Sequence, residues 1–262
     1  MKRLGIYAKP GTEDVVREVR EHLAGAGLYV SEELGECDAL VAVGGDGTIL
    51  NAARLALPFR LPVLGINAGR LGFLAGLERH ELALLPRLAS GEFDLENRML
   101  LEVRVRQGER PVAGGLCLND AVIARQGVSH AVEIPVSCEA SCAQAAGHLL
   151  RYRGDGVIFA TPTGSTAYNF SAGGPVAQPG VDIILLTPIC SHRMPARAIV
   201  FPAGTQFRVD IKDEGLALTM DAQPPLALLP GQSVTVQKSE EAARFIRLKT
   251  ENFLDIVTAK MG

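Results

Sequence analysis

The sequence predicts an α/β N-terminal Rossmann-like domain followed by an all-β, sandwich-like C-terminal domain. Over the first hundred residues, short apolar runs alternate with amphipathic helical stretches. Near Asn97 the texture changes to many short strands punctuated by Pro and Gly. Directly after one of the early apolar runs stands a glycine-rich turn, Gly44-Gly45-Asp46-Gly47-Thr48.

The elements follow in order. Leu4 to Ala8 has the length and apolarity of a buried strand, and residues 13–24 place Val15, Val16, Val19 and Leu23 at helical spacing among charges. Ala39 to Val43 is a second strand, Ile49 to Leu57 a helix stopped by Pro58, Pro62 to Ile66 a third strand, and residues 78–89 another amphipathic helix. Strands alternating with helices imply right-handed crossovers and a parallel sheet. Leu101 to Arg106 alternates strictly, as a half-buried strand does. Further strands are expected at 117–124, 132–137, 156–160, 183–187, 198–202, 206–212, 216–221 and 233–237, and Asn252 to Lys260 as a closing helix. The expected division is 1–97 for the Rossmann-like domain, with the tail 240–262 packing back on it, and 98–239 for the β-rich domain.

At 262 residues the chain can bury a substantial core. A net charge of −3 argues against a general nucleic-acid binder, yet leaves room for a small anion held by local cations and amides. No run reaches the roughly 18 apolar residues of a membrane span, and Lys9-Pro10-Gly11 interrupts any secretory signal. The five cysteines are scattered and odd in number, which fits a reducing cytoplasm. Cys138 and Cys142, with His130 or His148, lack the second paired cluster of a zinc site, so no metal ligand set is assigned.

The Gly44–Thr48 turn would lie outside the carboxyl end of a strand, where open α/β sheets bind ligands. Bare backbone lets amide N–H groups approach phosphate oxygens, and the helix that follows points its positive end the same way. Asp46 among such amides reads as a proton acceptor or as a partner of a divalent cation that the phosphates also bind. As plain structure it would be a helix N-cap. Asn67 to Leu74 follows another apolar strand and falls on the same sheet edge; Phe73 could wall a pocket or fill core, and Arg70 reads first as a surface arginine. Asn119-Asp120 is either a turn cap or a clamp on vicinal ribose hydroxyls. The run Arg153 to Pro175 delivers a buried strand into a turn dense in hydroxyls, suited to reading an adenine edge.

Together, Gly44 to Thr48, Asn67 to Leu74, Asn119-Asp120 and Asp155 to Pro175 resemble the NAD kinase family, over essentially the whole chain. Gly-Gly-Asp-Gly alone is shared with diacylglycerol- and sphingosine-type lipid kinases and with phosphofructokinases; the Thr161 to Pro175 run with Asn119-Asp120 is what distinguishes NAD kinases. The resemblance implies transfer of a phosphoryl group from ATP, or polyphosphate, to the 2′-hydroxyl of the adenosine ribose of NAD. Asp46 would take the proton, with Gly44, Gly45 and Gly47 at the donor phosphates and a divalent cation, Mg²⁺, as cofactor. Asn119 and Asp120 would hold the adenosine ribose. Asp155 and Thr166, Ala167, Tyr168, Asn169, Phe170 and Ser171 would hold adenine and position the dinucleotide. Arg153 and Gln223 match further nucleotide contacts, and His130 a basic one. The implied partners are NAD, ATP and further copies of the chain, as homodimer or homotetramer. Ser191 departs from a position where the family commonly has proline, and Arg193 to Val200 is also atypical. A lipid kinase and a non-catalytic dinucleotide sensor are the alternatives. The first needs an acyl-chain cleft, the second no base.

Overall fold

The computed structural model describes residues 1–69, 72–127, 131–139, 149–191, 197–250 and 252–261. They form two compact units: Met1–Arg98 with Ala243–Gly262, and Met99–Ala242.

The first unit is built on parallel strands. β1 (Arg3–Ala8), β2 (Tyr29–Val30), β3 (Ala39–Gly44) and β4 (Val63–Asn67) lie in the order β2-β1-β3-β4, with β5 (Leu77–Glu78) beside β4. Every residue of β3 and β4 is buried, the expected character of strands covered on both faces. α1 (Glu13–Gly25) buries Val15, Val19 and Leu23, one stripe at four-residue spacing, against Leu4, Val41 and Ile66 of the sheet. α2 (Asp46–Ala56) buries Ile49, Ala52, Ala53 and Ala56. The amphipathic helix expected over 78–89 is instead a 3₁₀ turn, Arg79–Leu84, and a single α turn, α3 (Arg87–Ser90). Pro86 removes the N–H that a continuous α-helix would need. The buried Leu82, Leu85 and Leu88 recur every third residue, which suits a 3₁₀ turn as well as an α stripe.

β6 (Asp94–Gln107) carries the chain into the second unit. There β7 (Arg110–Cys117), β8 (Asp120–Arg125), β9 (Val132–Glu139), β10 (Leu149–Gly154), β11 (Gly156–Ala160), β12 (Ile183–Ile189), β13 (Ile199–Pro202), β14 (Gln206–Asp210), β15 (Leu216–Met220), β16 (Leu226–Leu228) and β17 (Gln232–Arg247) follow. Among the described residues, a 3₁₀ turn, Thr163–Thr166, and one short α-helix, α4 (Tyr168–Ser171), sit after β11. One antiparallel sheet runs β13-β12-β11-β8-β15-β16, and a second includes β10-β9-β14-β17. Their inner faces share one core: Phe159 of the first sheet meets Phe207 of the second at 5.2 Å between ring centroids. β17 returns the chain to the first unit, where Phe245 pairs with Val63 of β4 and α5 (Phe253–Met261) closes the fold. Among the described residues no helix is long and apolar enough to cross a membrane.

Candidate functional site

In the first unit the sequence builds its site at the ends of β3 and β4. Gly45 is the N-cap of α2 and Asp46 its first residue, so Asp46 is not the N-cap that a plain structural role would give it. Its carboxylate reaches across to the loop after β4. Phe73 N–H donates to Oδ2 at 2.9 Å and Leu74 N–H to Oδ1 at 3.0 Å. Gly72 makes this possible, because a Cβ there would collide with the carboxylate. The loop is tied down by Asn67, whose amide donates to Glu78 at 2.8 and 3.1 Å and accepts from Gly69 N–H at 3.0 Å. The Asp46 side chain stays 36% exposed, so a ligand hydroxyl can reach it.

The three glycines of the turn have different reasons. At Gly44 a Cβ would lie 2.5 Å from Thr48 Oγ1, so packing requires glycine. At Gly45 and Gly47 a Cβ would meet nothing within 4 Å, and neither has a positive φ. The protein itself gives no reason for glycine at those two positions. Their amides open α2 with no carbonyl a turn earlier to reach, the arrangement that receives anions. Phe73, left open between wall and core by the sequence, is half-buried with the Lys260 ammonium 4.1 Å from its ring centroid. Arg70 lies outside the described residues.

In the second unit the start of β8, the end of β11 and the end of β15 come together, because Asp120 pairs with Ala160 and Ala121 with Met220. This one sheet edge gathers Asn119, Asp120, the 161–171 turn and Asp221 to Gln223. Asp221, which the sequence did not single out, organises it. Its Oδ2 accepts Leu118 N–H at 2.7 Å, and its Oδ1 accepts Asn119 N–H at 2.7 Å and Asp120 N–H at 3.1 Å. Thr161 adds a second tie, its hydroxyl donating to the Leu118 carbonyl at 2.5 Å and its N–H to the Asn119 carbonyl at 2.9 Å. The Asn119 side chain, half-buried, makes no hydrogen bond among the described residues.

Asp120 is 5% exposed, and burial first, then the neighbouring Asp221 carboxylate, push its carboxyl up to about 7. Its folded value lies above its unfolded one, so the stability it carries is full below about pH 4 and is lost as pH rises through 7. Asp120→Asn, a neutral isostere, should match the wild type near pH 4. Its advantage should then grow through pH 7, to a few kcal/mol on the order expected for a shift of this size. Parallel wild-type and variant curves in urea denaturation from pH 4 to 8 would refute this.

The 161–171 turn is stapled by Asn169. This residue is fully buried, donates to the Ser165 and Pro175 carbonyls at 3.0 Å each, and accepts from Thr187 Oγ1 at 2.6 Å. Asn169, expected within the segment that holds adenine, thus has both amide hydrogens committed to the turn. Thr166 Oγ1 donates to the Thr163 carbonyl at 3.3 Å, Ala167 is half-buried, and Ser171 is exposed. Tyr168 and Phe170 are each 46% exposed and offer aromatic faces. Gln223 is half-buried two residues past Asp221.

Asp155 and Arg153 are placed elsewhere. Asp155 precedes β11 at the end opposite Thr161, where Arg125 Nε donates to its Oδ1 at 2.8 Å. Asp155 and Thr161 flank the five residues of β11 and lie about 20 Å apart at the strand rise. Within one chain, Asp155 and the 166–171 segment, expected together to hold adenine and position the dinucleotide, thus lie at opposite ends of β11. Arg153 is exposed on β10, and His130 lies outside the described residues. So do Cys142 and His148 of the metal reading and most of the atypical stretch, 192–196. Cys37, Cys117, Cys138 and Cys190 are free thiols.

Among the described residues no three His, Cys, Asp or Glu side chains cluster as a metal cage. Each Asp46 oxygen accepts one N–H and keeps a further acceptor site, open to a hydroxyl proton or to a cation that the donor's phosphates also hold. A divalent ion would belong to the donor's phosphates.

The comparisons with known proteins follow the same outline. Residues 17–93 match the family model of the ATP-NAD kinase N-terminal domain, and residues 118–248 that of the ATP-NAD kinase C-terminal domain. The NAD kinase of Symbiobacterium thermophilum is 44% identical over 231 residues, covering 87% of this chain and 80% of that protein. The NAD kinase of Syntrophotalea carbinolica is 34% identical over 287 residues, covering 100% and 99%. Among solved structures, yeast NADH kinase complexed with NADH superposes with a TM-score of 0.87 at 26% identity, covering 100% of this chain and 88% of that one. An NAD kinase from Archaeoglobus fulgidus in complex with ATP gives 0.78 at 28%, covering 99% and 98%.

Proposed function

The chain belongs to the NAD kinase family, and from that premise we propose that it transfers the γ-phosphoryl group of ATP to the 2′-hydroxyl of the adenosine ribose of NAD, giving NADP, with Asp46 taking the hydroxyl proton. The observation that carries the site assignment is the pair Gly45 and Gly47, bare where the protein needs no bareness, on either side of an accessible carboxylate. Phosphate oxygens fit against these amides. The 2′ oxygen then bonds to the γ-phosphorus as its proton passes to Asp46, the bond from the γ-phosphorus to the β–γ bridging oxygen breaks, and ADP leaves.

Asn119 and Asp120 hold the adenosine ribose in this reading, with the ionised Asp120 carboxylate accepting from vicinal hydroxyls. Tyr168 and Phe170 supply faces for the base, and Gln223 a polar contact. Asn169 acts by shaping the turn. Arg153 and Asp155, at the far end of β11, serve a nucleotide through assembly: a second copy of the chain brings them to the site of the first. The protein is then a homo-oligomer, and a strictly monomeric enzyme under assay conditions would remove this part. Among the described residues four cysteines are free, three of them buried, which fits a reducing cytoplasm.

Incubation with NAD, Mg²⁺ and ATP, with polyphosphate replacing ATP in a parallel arm and diacylglycerol replacing NAD in another, tests the reading. NADP is the expected product. Its absence with both donors, or phosphorylation of the lipid alone, would overturn the assignment, and NAD binding without turnover would favour a sensor.

A further inference from the structure

We infer that Lys260, near the end of the chain, grips the phosphates of the donor at the Gly44–Thr48 turn. The inference rests on the reading that this turn takes those phosphates, and it adds a residue that no feature of the turn itself reveals. On α5 the half-buried positions are Phe253, Ile256, Val257 and Lys260, one face at helical spacing, while Leu254, Asp255, Thr258 and Ala259 are exposed. Lys260 therefore stands where an apolar residue would continue the packed stripe, and its side chain is only 21% exposed. A lysine that served solubility would sit on the opposite face.

Its ammonium lies 4.1 Å from the centroid of the Phe73 ring and 3.6 Å from Asp46 Oδ2. The same Phe73 also donates its N–H to Asp46, so one residue positions both charges. At 3.6 Å the contact with Asp46 is an ion pair without a proper hydrogen bond. An ammonium carries three donors, and among the described residues Lys260 directs none of them into a hydrogen bond. A half-buried cation, oriented by an aromatic face and short of acceptors, beside bare amides at a helix N-terminus, is arranged for an oxyanion. When phosphate arrives, Lys260 turns its donors to it, and Asp46 loses its cationic neighbour as the acceptor hydroxyl comes in. The glycine turn contains no cation of its own, and α5 supplies one.

The test uses the full-length protein, with ATP, inorganic tripolyphosphate and NAD titrated calorimetrically into the wild type, Lys260→Gln and Lys260→Arg. Lys260→Gln should weaken ATP and tripolyphosphate alike, by about 10- to 100-fold for a lost hydrogen bond to a charged group. NAD affinity should hold, and Lys260→Arg should recover most of the loss. Tripolyphosphate affinity within twofold of wild type in Lys260→Gln, or an equal loss for NAD and ATP, would overturn the inference and leave Lys260 as packing. A wild type that makes NADP while the variant's affinities are unchanged separates this failure from failure of the function. A wild type that binds no tripolyphosphate would overturn both the phosphate turn and the inference. Should Lys260→Gln fold poorly, the wild type still answers: tripolyphosphate should slow acylation of Lys260 but not of the exposed Lys212, and equal labelling with and without it would refute the grip.

Discussion

Asp46→Asn is expected to keep NAD binding and to lower kcat by about 10²- to 10⁴-fold, the usual worth of a positioned general base. The amide cannot accept the hydroxyl proton, while most of the bulk and one acceptor oxygen remain. The structure adds a second consequence. Phe73 N–H and Leu74 N–H each need an acceptor, and asparagine supplies one oxygen and one NH₂ in place of two oxygens. One backbone N–H then faces a donor, at about 1–3 kcal/mol. The variant should therefore lose some stability as well as turnover, and the two must be read separately. Calorimetric NAD titration and a urea midpoint, taken beside the rate, do this. Near-normal kcat in a folded variant would remove Asp46 from the proton transfer, whereas lost NAD affinity would show that the carboxylate holds the substrate.

Legibility from the sequence followed the range of the physics. Every residue of β3 and β4 is buried, so their apolar runs mark them in the sequence, and the glycine turn between β3 and α2 is legible from its neighbours alone. α2 begins at Asp46, three residues before the expected start, because Gly47 and Thr48 carry no apolar periodicity. β10 was missed: Leu149–Gly154 contains two arginines, and it becomes a strand through six pairings with β9 that no local pattern records. Asp221 and Lys260 share that character. Asp221 acts on backbone amides 101 to 103 residues earlier, and Lys260 reaches Asp46 only because α5 returns to the first unit. A signal existed for each, though a weak one. Asp221 stands at the end of an expected strand beside the Gln223 contact, and Lys260 continues an apolar stripe. Asp155, assigned by resemblance, lies at the opposite end of β11 from the 161–171 turn, a separation within one chain that the sequence does not state.

Asp221→Ala should destabilise the protein by about 3–5 kcal/mol, as a residue whose loss leaves several buried donors without acceptors. Leu118, Asn119 and Asp120 N–H groups would all lose their carboxylate. Alanine would in addition sit at a φ of 47°, a left-handed conformation that asparagine and aspartate tolerate better. Asp221→Asn separates these terms. Its single oxygen can keep the Oδ1 position and hold Asn119 and Asp120, so that only Leu118 N–H is orphaned, and the backbone conformation suits it. It also removes the carboxylate that helps push Asp120 up, so Asp120 ionises more readily. The loss should therefore be about 1 kcal/mol near neutral pH, and smaller than for alanine at every pH. NAD affinity should follow the turn, falling sharply in Asp221→Ala and little in Asp221→Asn. Equal losses of stability in the two variants would mean that the three hydrogen bonds do not hold the Asn119-Asp120 turn. An Asp221→Ala protein of wild-type stability would remove Asp221 from the design of the site altogether.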